Sequence, residues 1–235
     1  MTLQVSRPRL PAHRNTQRPA LFALSKAYSR HLSRLLYPTA KRTLDLTVAS
    51  IVLIAVLPLL ILVALAIKLE SPGPIFFRQV RVGRSGRLFQ LWKFRSMVVD
   101  AESARKKLEN KAAMSGGIRF KLKRDPRITR VGYLIRRFSI DELPQLLNVL
   151  RGDMSLVGPR PPIPSEVEAY DLTARRRLDC VPGLTCIWQV SGRSLIPFER
   201  QVQMDIDYEQ HQSLGLDMRL LLQTVPAVLL ARGAC

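Results

Sequence analysis

The apolar residues of this chain are concentrated in one block. From Leu46 to Ile67 the sequence reads "LTVASIVLIAVLPLLILVALAI", roughly 22 residues without a charge, which as a helix would be about 33 Å long and would match a bilayer core. A buried core helix is the alternative, but such helices rarely run this far without a polar side chain larger than Thr. The pattern therefore predicts membrane insertion, with Pro58 placed to kink the helix near its middle. After the rigid turn "SPGP", the stretch "IFFRQVRVGRSGRLFQLWKF" predicts two strands around Gly83–Gly86. "DAESARKKLENKAAM" reads as a solvated helix stopped by "SGG", and Leu143 to Leu150 as a second helix. "GDMSLVGPRPPIP" is too proline-rich for regular structure. "SLGLDMRLLLQTVPAVLLA" predicts an apolar helix, kinked at Pro226, lying on membrane or core. The expected class is α+β and mostly helical: a membrane helix plus a catalytic domain with a small β-hairpin.

Charge changes how the apolar block is read. Lys and Arg number 37 against 18 Asp and Glu, a formal net charge of +19, so the partner is polyanionic: nucleic acid, anionic membrane or a phosphorylated substrate. Arg30, Arg34, Lys41 and Arg42 precede the block, and Lys68, Arg78, Arg81, Arg84, Arg87, Lys93 and Arg95 follow it. Basic flanks belong in the cytoplasm, and here both qualify. A hairpin entering and leaving by one face satisfies both; a kinked simple span is the alternative. Three regions follow: a basic, acid-free leader (1–40) with a disordered early part, a re-entrant membrane helix (41–70), and a cytosolic membrane-associated domain (71–235). Cys180, Cys186 and Cys235 form no CxxC pair and fit a reduced compartment. His13, His31 and His211 are too scattered for a zinc site, so a metal acting here would be hard and oxygen-bound.

The candidate chemistry sits at Asp141 and Glu142. A capping box, with Ser139 as N-cap and Glu142 reaching back, would explain the pair structurally. Pro144 weighs against it, because its missing N–H falls where a helix needs one; a helix starting near Pro144 suits the backbone better. The neighbouring cations favour function. Arg136, Arg137 and Arg160 lie close in sequence, and Lys93 and Arg95 end the hairpin. Guanidinium groups grip phosphate bidentately, and a carboxylate among them stays ionised and nucleophilic. With a hard divalent metal these groups suit phosphoryl transfer.

Six motifs in order, "KRTLDL", "SPGPIFFRQVRVG", "LWKFRSM", "DPRITRVGYLIRR", "SIDELPQLLNVLRGDMSLVGPRPP" and "VPGLTCIWQVSGR", carry a resemblance. The chain resembles the bacterial sugar transferases that start surface-glycan synthesis, monotopic polyprenyl-phosphate phosphoglycosyl transferases, from Lys41 almost to the C-terminus. The resemblance implies that Asp141 attacks the β-phosphate of a UDP-sugar, expels UMP, and passes the phosphosugar to polyprenyl phosphate. It implies Mg²⁺ near Asp141 and Glu142, with Arg136 and Arg160 as ligands of the substrate and Lys93, from the Lys-Phe-Arg motif that also contains Arg95, among them. It further implies a re-entrant helix on the cytoplasmic face of the bacterial inner membrane. The "WQVSGR" segment resembles members handling hexose 1-phosphate, so UDP-glucose or UDP-galactose is expected. One departure is Cys186 where the family has Gly; a positive φ there would strain the loop carrying Trp188 and Gln189.

The competing reading is a cationic, membrane-anchored module that binds anionic lipid or nucleic acid without catalysis. Aromatics make up 6 % of the chain and no nucleic-acid motif is present, so nucleic acid is not expected as a partner. Such a module gives no reason for two carboxylates among arginines. A homo-oligomer is compatible with the sequence and not required by it.

Overall fold

The computed structural model describes residues 17–99, 101 and 125–230, and their side chains outside 17–34 and 194. The solvated helix and its "SGG" stop therefore lie, apart from Ala101, outside the described residues, as does the leader before Gln17. The chain divides into Met1–Ala40 and Lys41–Cys235. The first unit is helical from Gln17 onward, the start of helix α1 (Gln17–Glu70). The second unit holds the core and the site.

Helix α1 stays helical through Pro58, although the proline removes one backbone bond there. Its part from Leu35 to Glu70 is long and apolar enough to cross a membrane, and only 11 % of its most apolar window is buried within the protein. A core helix would be mostly covered; this one exposes Ile51, Ile54, Leu57, Ile61 and Leu62 and is suited to lipid.

Both ends of the apolar run rest on the same globular body. At the start, Ala49 is buried with Leu91, Leu146, Val149 and Leu156. At the end, Val63 and Ile67 pack with Phe94 and Ile135. Polar contacts secure each end. Lys41 pairs with the buried Asp217 at 3.0 Å, Arg42 donates to the carbonyls of Val149 and Leu150 at 2.6 and 2.9 Å, and Asp45 accepts from Leu156 N at 3.0 Å. At the far end Glu70 accepts from the backbone N–H groups of Arg130 and Val131 at 2.6 and 3.0 Å, the unsatisfied donors at the start of helix α2 (Arg130–Arg137).

The expected hairpin is present: β1 (Phe76–Val82) pairs antiparallel with β2 (Leu88–Phe94), from Phe76↔Phe94 to Val82↔Leu88. Helix α3 covers Leu146–Arg151, shorter than the expected Leu143–Leu150 because Ile140–Gln145 winds as a 3₁₀ segment containing Pro144. The stretch expected to be irregular contains strand β3 (Ser155–Val157), which pairs in parallel with β4 (Gly183–Thr185). The sequence hid this ladder because its partners lie far apart and it is only three residues long. Gly158 and Gly183 make it possible: a Cβ on Gly183 would stand 2.0 Å from Gly158 N, so neither strand end tolerates a side chain.

Short helices α4 (Pro164–Glu168), α5 (Leu172–Arg175) and α6 (Ile187–Ser191) lead to α7 (Phe198–His211) and α8 (Leu214–Leu229). Helix α8 also continues through its proline, Pro226. Leu220 and Asp217 face the core, while Leu214, Met218, Leu222, Val225 and Leu229 form an exposed apolar stripe at helical spacing.

Candidate active site

One cavity of about 920 Å³ is lined by the six candidate site residues Lys93, Arg95, Arg136, Asp141, Glu142 and Arg160, while the neighbouring Arg137 is not part of its lining. Several elements bring them together. Lys93 comes from β2, Arg136 from the last turn of α2, and the two carboxylates from the first turn of the 3₁₀ segment.

Ser139 makes the corner between α2 and the 3₁₀ segment at φ 55°, ψ 22°, a left-handed conformation uncommon for a residue with a Cβ. It makes no side-chain cap, so the capping box is absent. Glu142 N donates instead to Ser139 O at 3.1 Å, and the Glu142 carboxylate turns to Lys93 at 2.7 Å, with Arg160 at 3.6 Å. Arg160 sits in a strapped loop. Gly158 N donates to Thr185 O at 3.0 Å, Gly183 N to Pro159 O at 2.9 Å, and Arg81 to Pro161 O at 2.9 Å.

The adjacent carboxylates differ in acidity. Burial pushes Asp141 up to about 6, reinforced by the Glu142 charge, and Lys93 and Arg136 offset only part of this. Burial also works against the Glu142 charge, but Lys93 and then Arg160 outweigh it and hold that carboxyl down at about 2. Glu142 is thus a fixed anion locked to cations. Asp141 is 9 % exposed, ionised at neutral pH and more basic than an ordinary aspartate, the state wanted in an attacking carboxylate.

Arg95 lines the cavity, but its guanidinium donates at 2.8 Å to Ser71 O, Ser71 Oγ and Pro72 O. It holds the "SPGP" turn, and Gly73 at φ +117° lets it pass: a Cβ there would stand 2.2 Å from Arg95 Nη1. Sequence reasoning picked Arg95 by its proximity to Lys93; its capture by carbonyls more than twenty residues earlier left no local signal.

Thr185, Trp188, Gln189, Arg193, Gln201 and Thr224 also line the cavity. The sequence pointed to this wall only through "WQVSGR", and Gln201 and Thr224 carried no signal. Cys186 adopts φ −150°, ψ 172°, extended backbone open to any residue, so the feared strain is absent. Its buried thiol, pushed well above the usual range by desolvation, donates to Gln189 Oε1 at 3.1 Å.

Comparison with known proteins decides the family. The bacterial sugar transferase family matches residues 36–231. The chain is a bacterial sugar transferase. It is 47 % identical over 208 residues to the galactosyl transferase CpsE of Streptococcus agalactiae, covering 88 % of this chain and 46 % of that protein. It is 41 % identical over 198 residues to the exopolysaccharide production protein ExoY of Sinorhizobium fredii, covering 83 % and 88 %. Against the UDP-glucose:undecaprenyl-phosphate glucose-1-phosphate transferase of Caulobacter vibrioides the identity is 43 % over 211 residues, 86 % of this chain and 74 % of that one. This sugar transferase thus spans about half of the streptococcal relative and most of the rhizobial one.

Among the described residues no group of three or more His, Cys, Asp or Glu could cage a metal. Asp141 and Glu142 together offer carboxylate oxygens of the kind a hard divalent ion takes when substrate phosphates and water complete its shell.

Proposed function

We propose that this sugar transferase moves a sugar 1-phosphate from a UDP-hexose, UDP-glucose or UDP-galactose, to polyprenyl phosphate, and releases UMP. The observation that carries this reading is a buried, basic Asp141 in a cavity with Lys93, Arg136 and Arg160. An Asp141 carboxylate oxygen bonds to the β-phosphorus while the bond from that phosphorus to the UMP oxygen breaks, and UMP leaves with the electron pair. A phosphate oxygen of the acceptor then attacks the same phosphorus, and the aspartyl oxygen leaves as carboxylate. Arg136 and Arg160 grip phosphate oxygens. Lys93 keeps Glu142 charged and in place, and Arg95 holds the turn beside the cavity. Mg²⁺, held through Asp141 and Glu142, would neutralise diphosphate charge. The relatives named for galactosyl and glucose-1-phosphate transfer support this substrate class.

The apolar part of α1 is re-entrant in this reading, on the cytoplasmic face of the membrane. Its two ends bind one body, through Asp45 and through Glu70, as a segment entering and leaving by one face requires. The apolar stripe of α8 offers that body a second contact with lipid.

The test supplies membrane extract containing the protein with UDP-glucose or UDP-galactose, Mg²⁺ and polyprenyl phosphate. UMP and a polyprenyl diphosphate sugar are the expected products, dependent on Mg²⁺. Release of UDP would mean direct glycosyl transfer and would sink the proposal.

A further inference from the structure

The cavity has an apolar lip that the phosphate chemistry leaves unused. Phe77 is the cross-strand partner of Lys93, so the two side chains stand on the same face of the hairpin within a few ångströms of each other. Phe77 remains 46 % exposed, so close to half of a large apolar side chain is left uncovered by the protein. Phe138 caps α2 three residues before Asp141 and is also exposed. Pro74 closes the row at the "SPGP" turn, which leads directly from Glu70 at the end of α1. All three line the same cavity as the carboxylates. The polar floor therefore passes into an apolar lip, and the lip begins where the membrane segment ends.

We propose that Pro74, Phe77 and Phe138 seat the first isoprene units of the acceptor while its phosphate lies among Lys93, Arg136 and Arg160. This rests on the polyprenyl phosphate reading above and adds where the lipid half of that substrate goes. The acceptor is an amphiphile with one anionic end, and this cavity places a cationic floor and an exposed aromatic row side by side. The rest of the chain leaves past the turn, toward the bilayer entered by α1. Phe76 lines the same cavity and is held by the protein as well: it stacks on Phe94 at 5.3 Å and meets Trp92 edge-on at 5.8 Å.

The test measures steady-state transfer by the full chain in detergent micelles, with geranyl phosphate, farnesyl phosphate and undecaprenyl phosphate as acceptors. In the parent, KM falls as isoprene units are added. Phe77→Ser raises KM for farnesyl phosphate about tenfold, the scale of one lost apolar contact surface, and flattens the dependence on chain length. KM for the UDP-hexose moves less than about twofold, and Phe77→Leu recovers most of the loss. A Phe77→Ser protein that keeps the parent's chain-length dependence overturns the proposal. So does one that loses adsorption to phosphatidylglycerol vesicles with its acceptor KM intact, because the lip would then be a membrane contact. Adduct formation on Asp141 from donor alone is scored separately by mass spectrometry. Its failure in the parent defeats the covalent reading, while the KM series still decides the lip.

Discussion

Two places in this molecule set a carboxylate against cations, and they do it differently. Asp205 and Arg177 meet at 2.8 Å with almost no exposure on either side. Arg177 also donates to Tyr170 Oη at 3.0 Å and lies 5.6 and 5.7 Å from the Tyr170 and Phe198 ring centres. Trp188 Nε1 donates to the same Asp205 oxygen at 3.4 Å. Every group there is matched to a neighbour except Asp205 Oδ1, which is buried without a partner. In the cavity, Glu142 is matched to Lys93 and Arg160, and Asp141 beside it is raised by burial to about 6, as Asp205 is, but lines an open cavity. The buried pair joins helices. The open one keeps a second carboxylate, Asp141, where a substrate can reach it. An arginine beside an acid is thus no sign of function by itself; the sign here is that the acid and its cations line one cavity.

The sharpest break of this contrast is Asp141→Asn. An amide is a poor nucleophile, so turnover and the covalent adduct should both vanish; near-parent UMP release would show that another group attacks. Next in size is Arg177→Ala, which strands the Asp205 charge in the interior and should cost about 3–5 kcal/mol of stability. Lys93→Ala, beside the open cavity, should lower the rate with much less effect on the melting temperature. Equal melting losses for the two variants would erase the distinction.

The third test turns Asp141 into a stability probe. Its carboxyl is raised from 3.8 to about 6 on folding, so the folded state binds its proton more tightly than the unfolded state. The destabilising cost is absent below about pH 4 and grows as pH rises through about 6, reaching about 3 kcal/mol. Asp141→Asn should therefore melt above the parent at pH 7.5 and alongside it at pH 3.5, in metal-free buffer. A constant offset across that range would mean that desolvation does not set the acidity. The smallest effect is Arg136→Lys, which replaces a fork with a point charge and should slow transfer about tenfold with an unchanged melting curve. Parent-like rates would remove the bidentate contact.

Much of the fold was legible because it is local. The hairpin announced itself by strand-forming residues around a Gly-bounded turn, and the long apolar helix by length without charge. The parallel ladder between Ser155–Val157 and Gly183–Thr185 could not be read, since a three-residue strand has no period and parallel partners lie far apart. At the site, Arg136 and Arg160 stood near the acidic pair in sequence and Lys93 nearly fifty residues before it, and the structure gathers all of them in one cavity. What could not be read was the division of labour. Lys93 and Arg95 are two residues apart, yet one meets Glu142 and the other meets the carbonyls of Ser71 and Pro72. Helix propensity likewise missed the 3₁₀ winding at Ile140–Gln145, where Ser139 turns the chain so that neither carboxylate is spent on a cap.

The clamp at the base of α1 also sets an order of biosynthesis. Lys41 leaves the ribosome 176 residues ahead of Asp217, and Asp45 leaves 111 ahead of Leu156. The apolar segment is therefore translated long before the groups that hold its start exist. A nascent chain halted short of Asp217 would carry the whole apolar segment and its partners at Val149, Leu150 and Leu156 but lack the ion pair that Lys41 makes.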